Sequence, residues 1–150
     1  MPRIERRATI VWEGNVARGR GLLSGGSGAF SELPYSLATR IGQPEGQTSP
    51  EELLAAAHGG CLVMSVASEL SSASTPPDRL EATATVRMDE VEGQGHQVVL
   101  STVTLRGRVP GIDKAAWTKA VESGDAGCPF STLLRNAGVE VVVNAELEEG

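Results

Sequence analysis

Two cysteines, Cys61 and Cys128, are the side chains of this sequence best suited to nucleophilic chemistry. His58 precedes Cys61 by three residues, so both share one helical face and the imidazole can favour the thiolate. Pro129 marks the first position of a helix, which makes Cys128 the N-cap, where the helix dipole favours a negative sulfur. The pair indicates catalytic, redox or metal-binding thiols. The alternatives are two buried structural thiols, and a packing histidine bonded to a neighbouring strand.

A few charged residues could activate a thiolate. Glu51 opens the predicted helix of Cys61, where it can also simply complement the helix dipole. It lies ten residues before Cys61, about 15 Å along the axis and about 80° around it. A second chain or a folded loop must therefore bring Glu51 to the thiol. Arg40 is a candidate cation, and Arg18 and Arg20 near the first hairpin are its rivals.

The composition excludes several classes of protein. The net charge of −6 argues against binding to nucleic acid or to anionic membranes, and aromatic residues, at 3%, leave little for base stacking. The uncharged stretch 53–68 is short and polar for a bilayer span, so we expect a buried helix of a soluble protein. The N-terminal residues lack the apolar run of a secretory signal, which predicts a cytoplasmic protein.

No motif indicates a metal or a bound cofactor. The set His58, Cys61, His96 and Cys128 matches no zinc-ligand spacing. Phosphate-binding loops and dinucleotide fingerprints are absent from the sequence, and the glycine cluster at 25–28 is typical of a turn. We therefore expect a protein without a metal or cofactor.

The elements that position these residues predict a single α+β domain over residues 1–150. Alternating apolar residues and turn signals predict a hairpin whose first strand is half-buried, a long helix, a second hairpin with a Gly-Gln-Gly turn, two helices and a last strand. Asp113 is the predicted N-cap of the second helix, whose apolar stripe includes Trp117 and Val121. The predicted strands are 4–12, 19–24, 29–40 (interrupted at Pro34), 79–90, 96–109 and 139–147, and the predicted helices are 50–71, 113–123 and 129–137.

The long helix has the clearest start. Ser49 is the predicted N-cap, Pro50 fits the first helical position, and Glu52 completes a capping box. The helix is apolar around most of its circumference, so we expect it to be central and covered on several sides. Gly59 and Gly60 cost about 1 kcal/mol each relative to alanine, which predicts close packing against them.

Several segments together resemble the OsmC/Ohr family of thiol-dependent hydroperoxide reductases. The main ones are TSPEELLAAAHGGC, which ends at Cys61, and the Gly-Cys-Pro that contains Cys128. The resemblance extends to Trp12-Glu13-Gly14, Pro34-Tyr35, Thr39-Arg40 and the segment 109–113, and so covers nearly the whole chain. The histidine before Cys61 and the Trp-Glu-Gly start favour the OsmC branch over the Ohr branch, in which that histidine position is usually aromatic.

The resemblance implies an intertwined homodimer whose two long central helices are wrapped by six-stranded antiparallel sheets, with two sites at the subunit interface. It also implies that Cys61 is the peroxidatic cysteine, Cys128 the resolving cysteine, Arg40 the activating arginine and Glu51 its carboxylate partner. The chain departs from the family at Ser49, where asparagine is frequent, and at 59–60, where alanines are commoner. In the Ohr branch the activating charge comes from the first-hairpin region, which here holds Arg18 and Arg20.

The implied function is a peroxidase that reduces organic hydroperoxides, and hydrogen peroxide as well, in defence against oxidative or osmotic stress. Its oxidised form, a Cys61–Cys128 disulfide, requires an external dithiol, whether lipoyl-type, thioredoxin-like or a small thiol. The alternative from a different class is a non-enzymatic redox-sensing or binding protein that uses the same reversible disulfide.

Overall fold

The computed structural model describes residues 2–149. By contacts the chain divides into two compact units, Met1–Pro50 and Glu51–Gly150. The single domain over 1–150 stays a prediction. Within the described residues the elements are β1 (Ala8–Glu13), β2 (Arg20–Gly25), β3 (Leu33–Tyr35), α1 (Leu37–Ile41), α2 (Pro50–Ser72), β4 (Arg79–Val91), β5 (Gly95–Arg108), α3 (Lys114–Gly127), α4 (Pro129–Asn136) and β6 (Glu140–Leu147).

The first unit contains an antiparallel sheet in the order β1-β2-β3. The predicted hairpin of β1 and β2 is confirmed, although Ile4 precedes the strand. The expectation that β1 is half-buried is wrong, since every residue of this edge strand is exposed. The buried apolar side chain of the hairpin is Leu23, which lies on the central strand opposite Ile10.

The predicted third strand over 29–40 is wrong in extent. β3 has three residues, and the chain then turns into the short helix α1. The reason is a reciprocal cap: the Thr39 N–H donates to Ser36 Oγ, and the Ser36 N–H donates to Thr39 Oγ1, both at 3.2 Å. Arg40 therefore lies in the last turn of a helix and not on a strand.

The second unit contains the sheet β4-β5-β6. The long antiparallel hairpin of β4 and β5 is confirmed, with Gly93 and Gly95 at φ 77° and 74° in its turn. β6 pairs parallel to β5, so the expectation of wholly antiparallel sheets is wrong here. The connection through α3 and α4 explains it, because a helical crossover returns the chain to run in the same direction. The six expected strands lie in two three-stranded sheets within this chain.

Helix α2 begins and ends within one residue of the prediction. Its buried positions recur every three or four residues and define one face; they are Ala55, His58, Gly59, Leu62, Val66 and Leu70. The opposite face includes Met64, which is 76% exposed. Within this chain α2 is covered on one face only, so the expectation that it is covered on several sides is wrong for the described residues.

The glycines of the helices mark close approaches. A Cβ on Gly59 would lie 3.2 Å from the Cβ of Ala84 on β4, so the predicted close packing is confirmed there. Gly60 has no described atom within 4 Å of such a Cβ. On α3, a Cβ at Gly124 would lie 2.6 Å from Cγ2 of Val66, so α2 and α3 approach closely at that glycine.

The last two helices follow the predicted caps. Asp113 caps α3, accepting from the Ala116 N–H at 2.8 Å, and Trp117 and Val121 are buried as their stripe predicts. α3 runs to Gly127, four residues beyond the predicted end, because Gly124 continues the helix at its contact with α2. Cys128 is the N-cap of α4 as predicted, and Gly138 follows this helix at φ 85°.

Among residues 2–149, α2 alone is long and apolar enough to span a membrane by length and composition, with a mean hydropathy of 1.4. Its buried face contacts β4 through Gly59, and His58 on the same face forms hydrogen bonds inside the unit. These contacts identify α2 as a core helix of the second unit.

Candidate active site

The structure brings Cys61 and Cys128 together. Cys61 lies in the middle of α2, Cys128 lies at the N-terminus of α4, and Cys61 packs against the core cluster that includes Cys128, close enough for the two thiols to interact. Both are free thiols; Cys61 is half-buried and Cys128 is fully buried. Neighbouring free thiols on two separate helices are the groups from which a reversible disulfide could form.

The surroundings of Cys61 favour the neutral thiol. Burial raises the pKa of Cys61 most, and the hydrogen bond and charge of Cys128 raise it further, while the backbone N–H of Phe130 lowers it. A cation beside the thiol would oppose the rise, because an opposite charge stabilises the thiolate. A positive charge beside Cys61 would therefore favour the nucleophilic thiolate.

The N-terminus of α4 acts on Cys61 as well as holding Cys128. Cys128 is the N-cap residue, but its side chain makes no capping hydrogen bond. The Phe130 N–H, one of the groups that the first turn of a helix leaves without a helical partner, interacts with Cys61 instead. The helix end thus also favours a negative sulfur at Cys61, an effect that the sequence analysis did not predict.

His58 is a fully buried residue that joins three elements. Its Nδ1 lies 2.6 Å from Ser101 Oγ on β5, and its Nε2 lies 2.8 Å from Ser131 Oγ on α4. Burial is the main cause that lowers the pKa of His58, Asp125 raises it and Arg135 lowers it further. Both ring nitrogens form hydrogen bonds with serines, so His58 does not act directly on Cys61. The alternative of a packing histidine bonded to a strand is confirmed.

The two serines are residues that the sequence analysis missed. Ser101 lies on the same face of β5 as the buried residues Val103 and Leu105. A hydroxyl on an otherwise apolar face indicates a buried polar partner. Ser131, three residues after Cys128, is also fully buried. Its signal was weaker, since a serine in the first turn of a helix is common.

The charged candidates lie on other elements. Arg40 is exposed in the last turn of α1 and lines a cavity of about 190 Å³ together with Trp12 and Tyr35, whose ring centroids are 5.7 Å apart. Glu51 is half-buried in the first turn of α2. Because α2 is one continuous helix, Glu51 and Cys61 stay about 15 Å apart along its axis within a chain.

The rival arginines belong to the first hairpin. Arg18 lies in the turn after β1 and donates its backbone N–H to Asn15 Oδ1, while Arg20 opens β2 opposite Glu13. Both are exposed.

Over the described part of the chain, no three or more His, Cys, Asp or Glu side chains are grouped so that they could hold a metal ion. His96, one of the four residues considered from the sequence, pairs with Glu90 at the turn end of the β4–β5 hairpin.

Comparison with known proteins gives a consistent result. The sequence model of the family described as OsmC-like protein matches residues 42–144. The chain is 32% identical over 145 residues to the peroxiredoxin OsmC of Escherichia coli K12, covering 97% of this chain and 98% of that protein. The Shigella flexneri peroxiredoxin OsmC gives the same values.

Solved structures of low sequence identity share the fold. An organic hydroperoxide resistance protein of Elizabethkingia anophelis matches with a TM-score of 0.74 at 21% identity, covering 98% of this chain and 99% of that chain. An OsmC-like protein of unknown function from Vibrio cholerae matches with a TM-score of 0.77 at 15% identity, covering 95% and 99%. The resemblance seen in the sequence is thereby confirmed, and the chain belongs to the OsmC family.

Proposed function

We propose that this chain is a thiol-dependent peroxidase that reduces organic hydroperoxides and also hydrogen peroxide. The observation that carries the proposal is the contact of the Cys61 and Cys128 thiols at the N-terminus of α4. The names of the relatives support it, since the Escherichia coli protein is a peroxiredoxin and the Elizabethkingia anophelis protein is an organic hydroperoxide resistance protein.

The reaction begins with the thiolate of Cys61. Its sulfur attacks one oxygen of the hydroperoxide, an S–O bond forms, the O–O bond breaks, and the departing alkoxide takes a proton to leave as an alcohol. Cys61 is then a sulfenic acid, oxidised by two electrons. The Cys128 sulfur attacks the Cys61 sulfur, the S–O bond breaks and water leaves. An external dithiol reduces the resulting disulfide by thiol–disulfide exchange.

Arg40 supplies the positive charge in this proposal, and Glu51 orients its guanidinium. A cation would counteract the raised pKa of Cys61 and stabilise the developing alkoxide. Arg18 and Arg20 are the alternatives for the same task. We further propose a cytoplasmic homodimer in which Glu51 acts at the Cys61 of the partner copy. The length of α2 between the two residues and the exposed α2 face around Met64 support this arrangement.

The test is peroxide consumption by the purified protein with excess dithiothreitol or dihydrolipoamide, comparing cumene hydroperoxide with hydrogen peroxide. We expect many turnovers, none with Cys61→Ser, and with Cys128→Ser a first oxidation followed by over-oxidation of Cys61 to the sulfinic acid. Mass spectrometry of Cys61 distinguishes these states. Full turnover by Cys61→Ser would contradict the assignment.

A redox sensor is the second candidate, since neighbouring Cys61 and Cys128 thiols would equally allow a reversible disulfide that acts without repeated turnover. A sensor would lose its thiols stoichiometrically and consume no further peroxide in the presence of either dithiol. The ratio of peroxide consumed to protein therefore separates the two functions.

A further inference from the structure

We propose that His58 and Ser131 are positioning residues for the disulfide step, because their buried hydrogen bond holds the first turn of α4, and with it Cys128, against Cys61. The inference rests on the proposed function for its place in the reaction. Its structural part, the control of the Cys61–Cys128 geometry, can be tested without peroxide.

The first turn of α4 contacts α2 at consecutive points. Cys128 contacts the Cys61 thiol, Phe130 directs its N–H to the same thiol, and Ser131 bonds His58 Nε2 at 2.8 Å. On α2, His58 and Cys61 are three residues apart and so lie one above the other on one face. The His58–Ser131 bond is thus about one helical turn from the reacting sulfur atoms and joins the same two helices.

The bond is well suited to hold a fixed position. Both partners are fully buried, so no water replaces the interaction when it breaks. Ser101 engages the other ring nitrogen at 2.6 Å and fixes the orientation of the imidazole from β5. α4 has only eight residues, and its N-cap side chain contributes no hydrogen bond, so its first turn depends on such tertiary contacts.

Only one step of the cycle depends strongly on this geometry. In the attack on peroxide α4 contributes only the Phe130 N–H beside Cys61, whereas disulfide formation needs the Cys128 sulfur in line with the S–O bond that breaks. A small displacement of α4 would therefore slow the second step selectively and leave the sulfenic acid open to further oxidation.

A matched pair of substitutions separates the two hydrogen bonds of His58. The side-chain amide nitrogen of glutamine reaches about as far as Nε2, so His58→Gln can keep the bond to Ser131. The amide of asparagine reaches about as far as Nδ1, so His58→Asn can keep only the bond to Ser101.

Ser131→Ala removes the α4 bond from the other side. Ser65→Ala is the control, since it removes a partly buried hydrogen bond of 2.6 Å between α2 and α3 at the Gly124 carbonyl.

The measurement is the rate of Cys61–Cys128 disulfide formation after one equivalent of cumene hydroperoxide, followed by acid quench and mass spectrometry. We expect His58→Asn and Ser131→Ala to form the disulfide at least about tenfold more slowly, and to accumulate sulfinic acid, while the rate of sulfenic acid formation changes by no more than about threefold. We expect His58→Gln and Ser65→Ala to stay within about threefold of the unmodified protein.

Disulfide formation as fast in His58→Asn and Ser131→Ala as in the unmodified protein would overturn the inference. So would an equal loss in His58→Gln and His58→Asn, because that result would assign His58 a packing role. Circular dichroism verifies that each variant is folded. If His58→Asn does not fold, the comparison of Ser131→Ala with Ser65→Ala decides, and equal rates in those two reject the inference.

Oxidation with diamide separates this inference from the proposed function. The Cys61 thiolate adds to the N=N bond of diamide and forms an S–N bond. The Cys128 sulfur then attacks the Cys61 sulfur, the S–N bond breaks, and the hydrazine product carries away two electrons and two protons. If the unmodified protein fails to turn over peroxide but the variants keep their order of rates with diamide, the peroxidase proposal fails and the positioning role stands. If that order is lost with diamide while turnover of peroxide persists, the positioning role fails alone.

Discussion

Burial acts on the two titratable residues of one face of α2 in the same sense, by favouring their neutral forms. It raises the pKa of the Cys61 thiol and lowers the pKa of the His58 imidazole. For His58 the neutral ring suits its two serine partners, since a neutral imidazole has one donor and one acceptor nitrogen. For Cys61 the neutral form opposes the proposed chemistry, which is why a cation is central to the proposal.

The His58 shift predicts a pH dependence of stability. The unfolded chain binds a proton near the ordinary histidine pKa of 6.5, whereas the folded chain resists it, so the free energy of unfolding falls as the pH drops below about 6.5. The loss continues until the pH passes the lowered folded-state pKa. Urea unfolding between pH 7.5 and 5.5, in steps of about half a unit, should therefore show a steeper loss for the unmodified protein than for His58→Gln. Equal slopes for the two proteins would contradict the expectation.

At the scale of elements, the second unit depends on the close approach of α2 and α3. Gly124 permits it, since a Cβ there would lie 2.6 Å from Val66 Cγ2 and 3.0 Å from the Val66 backbone. Backbone atoms cannot move aside as a flexible side chain can, so the helices must separate when this glycine is replaced. The Ser65 hydrogen bond to the Gly124 carbonyl would then also lengthen.

Gly124→Ala should accordingly lower the free energy of unfolding by about 1–3 kcal/mol, despite the better helix propensity of alanine. Gly127→Ala is the matched control on the same helix, because its Cβ would meet only Ser65 Oγ at 3.7 Å, an ordinary contact. Thermal and urea unfolding of both variants measure the difference. A Gly124→Ala protein as stable as Gly127→Ala would show that the two helices are not packed as described.

At the scale of the whole molecule, the proposed site combines residues that one chain cannot bring together along α2. Glu51 and Cys61 are separated by about 15 Å of continuous helix, whereas Cys61 and Cys128 contact each other within one unit. We therefore expect each site to take its two thiols from one copy and its Glu51 from the other copy, as the two-fold symmetry of a homodimer allows.

Mixed dimers test this arrangement. Cys61→Ser and Glu51→Gln should each lose most of the peroxidase activity, and co-expression with two affinity tags yields the mixed dimer. One of its two sites is then intact, so about half of the unmodified activity should return. The mixture of Cys61→Ser with Cys128→Ser is the control and should recover nothing beyond its parents, because that thiol pair lies within one chain. Inactive Cys61→Ser/Glu51→Gln dimers would contradict a shared site.

The parts of this protein that local sequence specifies were predictable. Helix α2 from its proline start, the β4–β5 hairpin from alternation and its Gly-Gln-Gly turn, and Cys128 as the N-cap of α4 all depend on neighbours within a few residues. The family followed from motifs of the same local kind. α1 was missed although its cap is also local, since the Ser36–Thr39 capping box ends in threonine instead of the usual glutamate or glutamine.

Contacts between distant segments required the fold. The parallel pairing of β6 with β5, the partners of His58 on β5 and α4, and the direction of the Phe130 N–H toward Cys61 all join residues far apart in the chain. Periodicity reveals that a side chain is buried, but not which side chain covers it, because that partner is set by how whole elements pack. The sequence thus identified the two thiols, and their shared environment emerged only from the packing of α4 against α2.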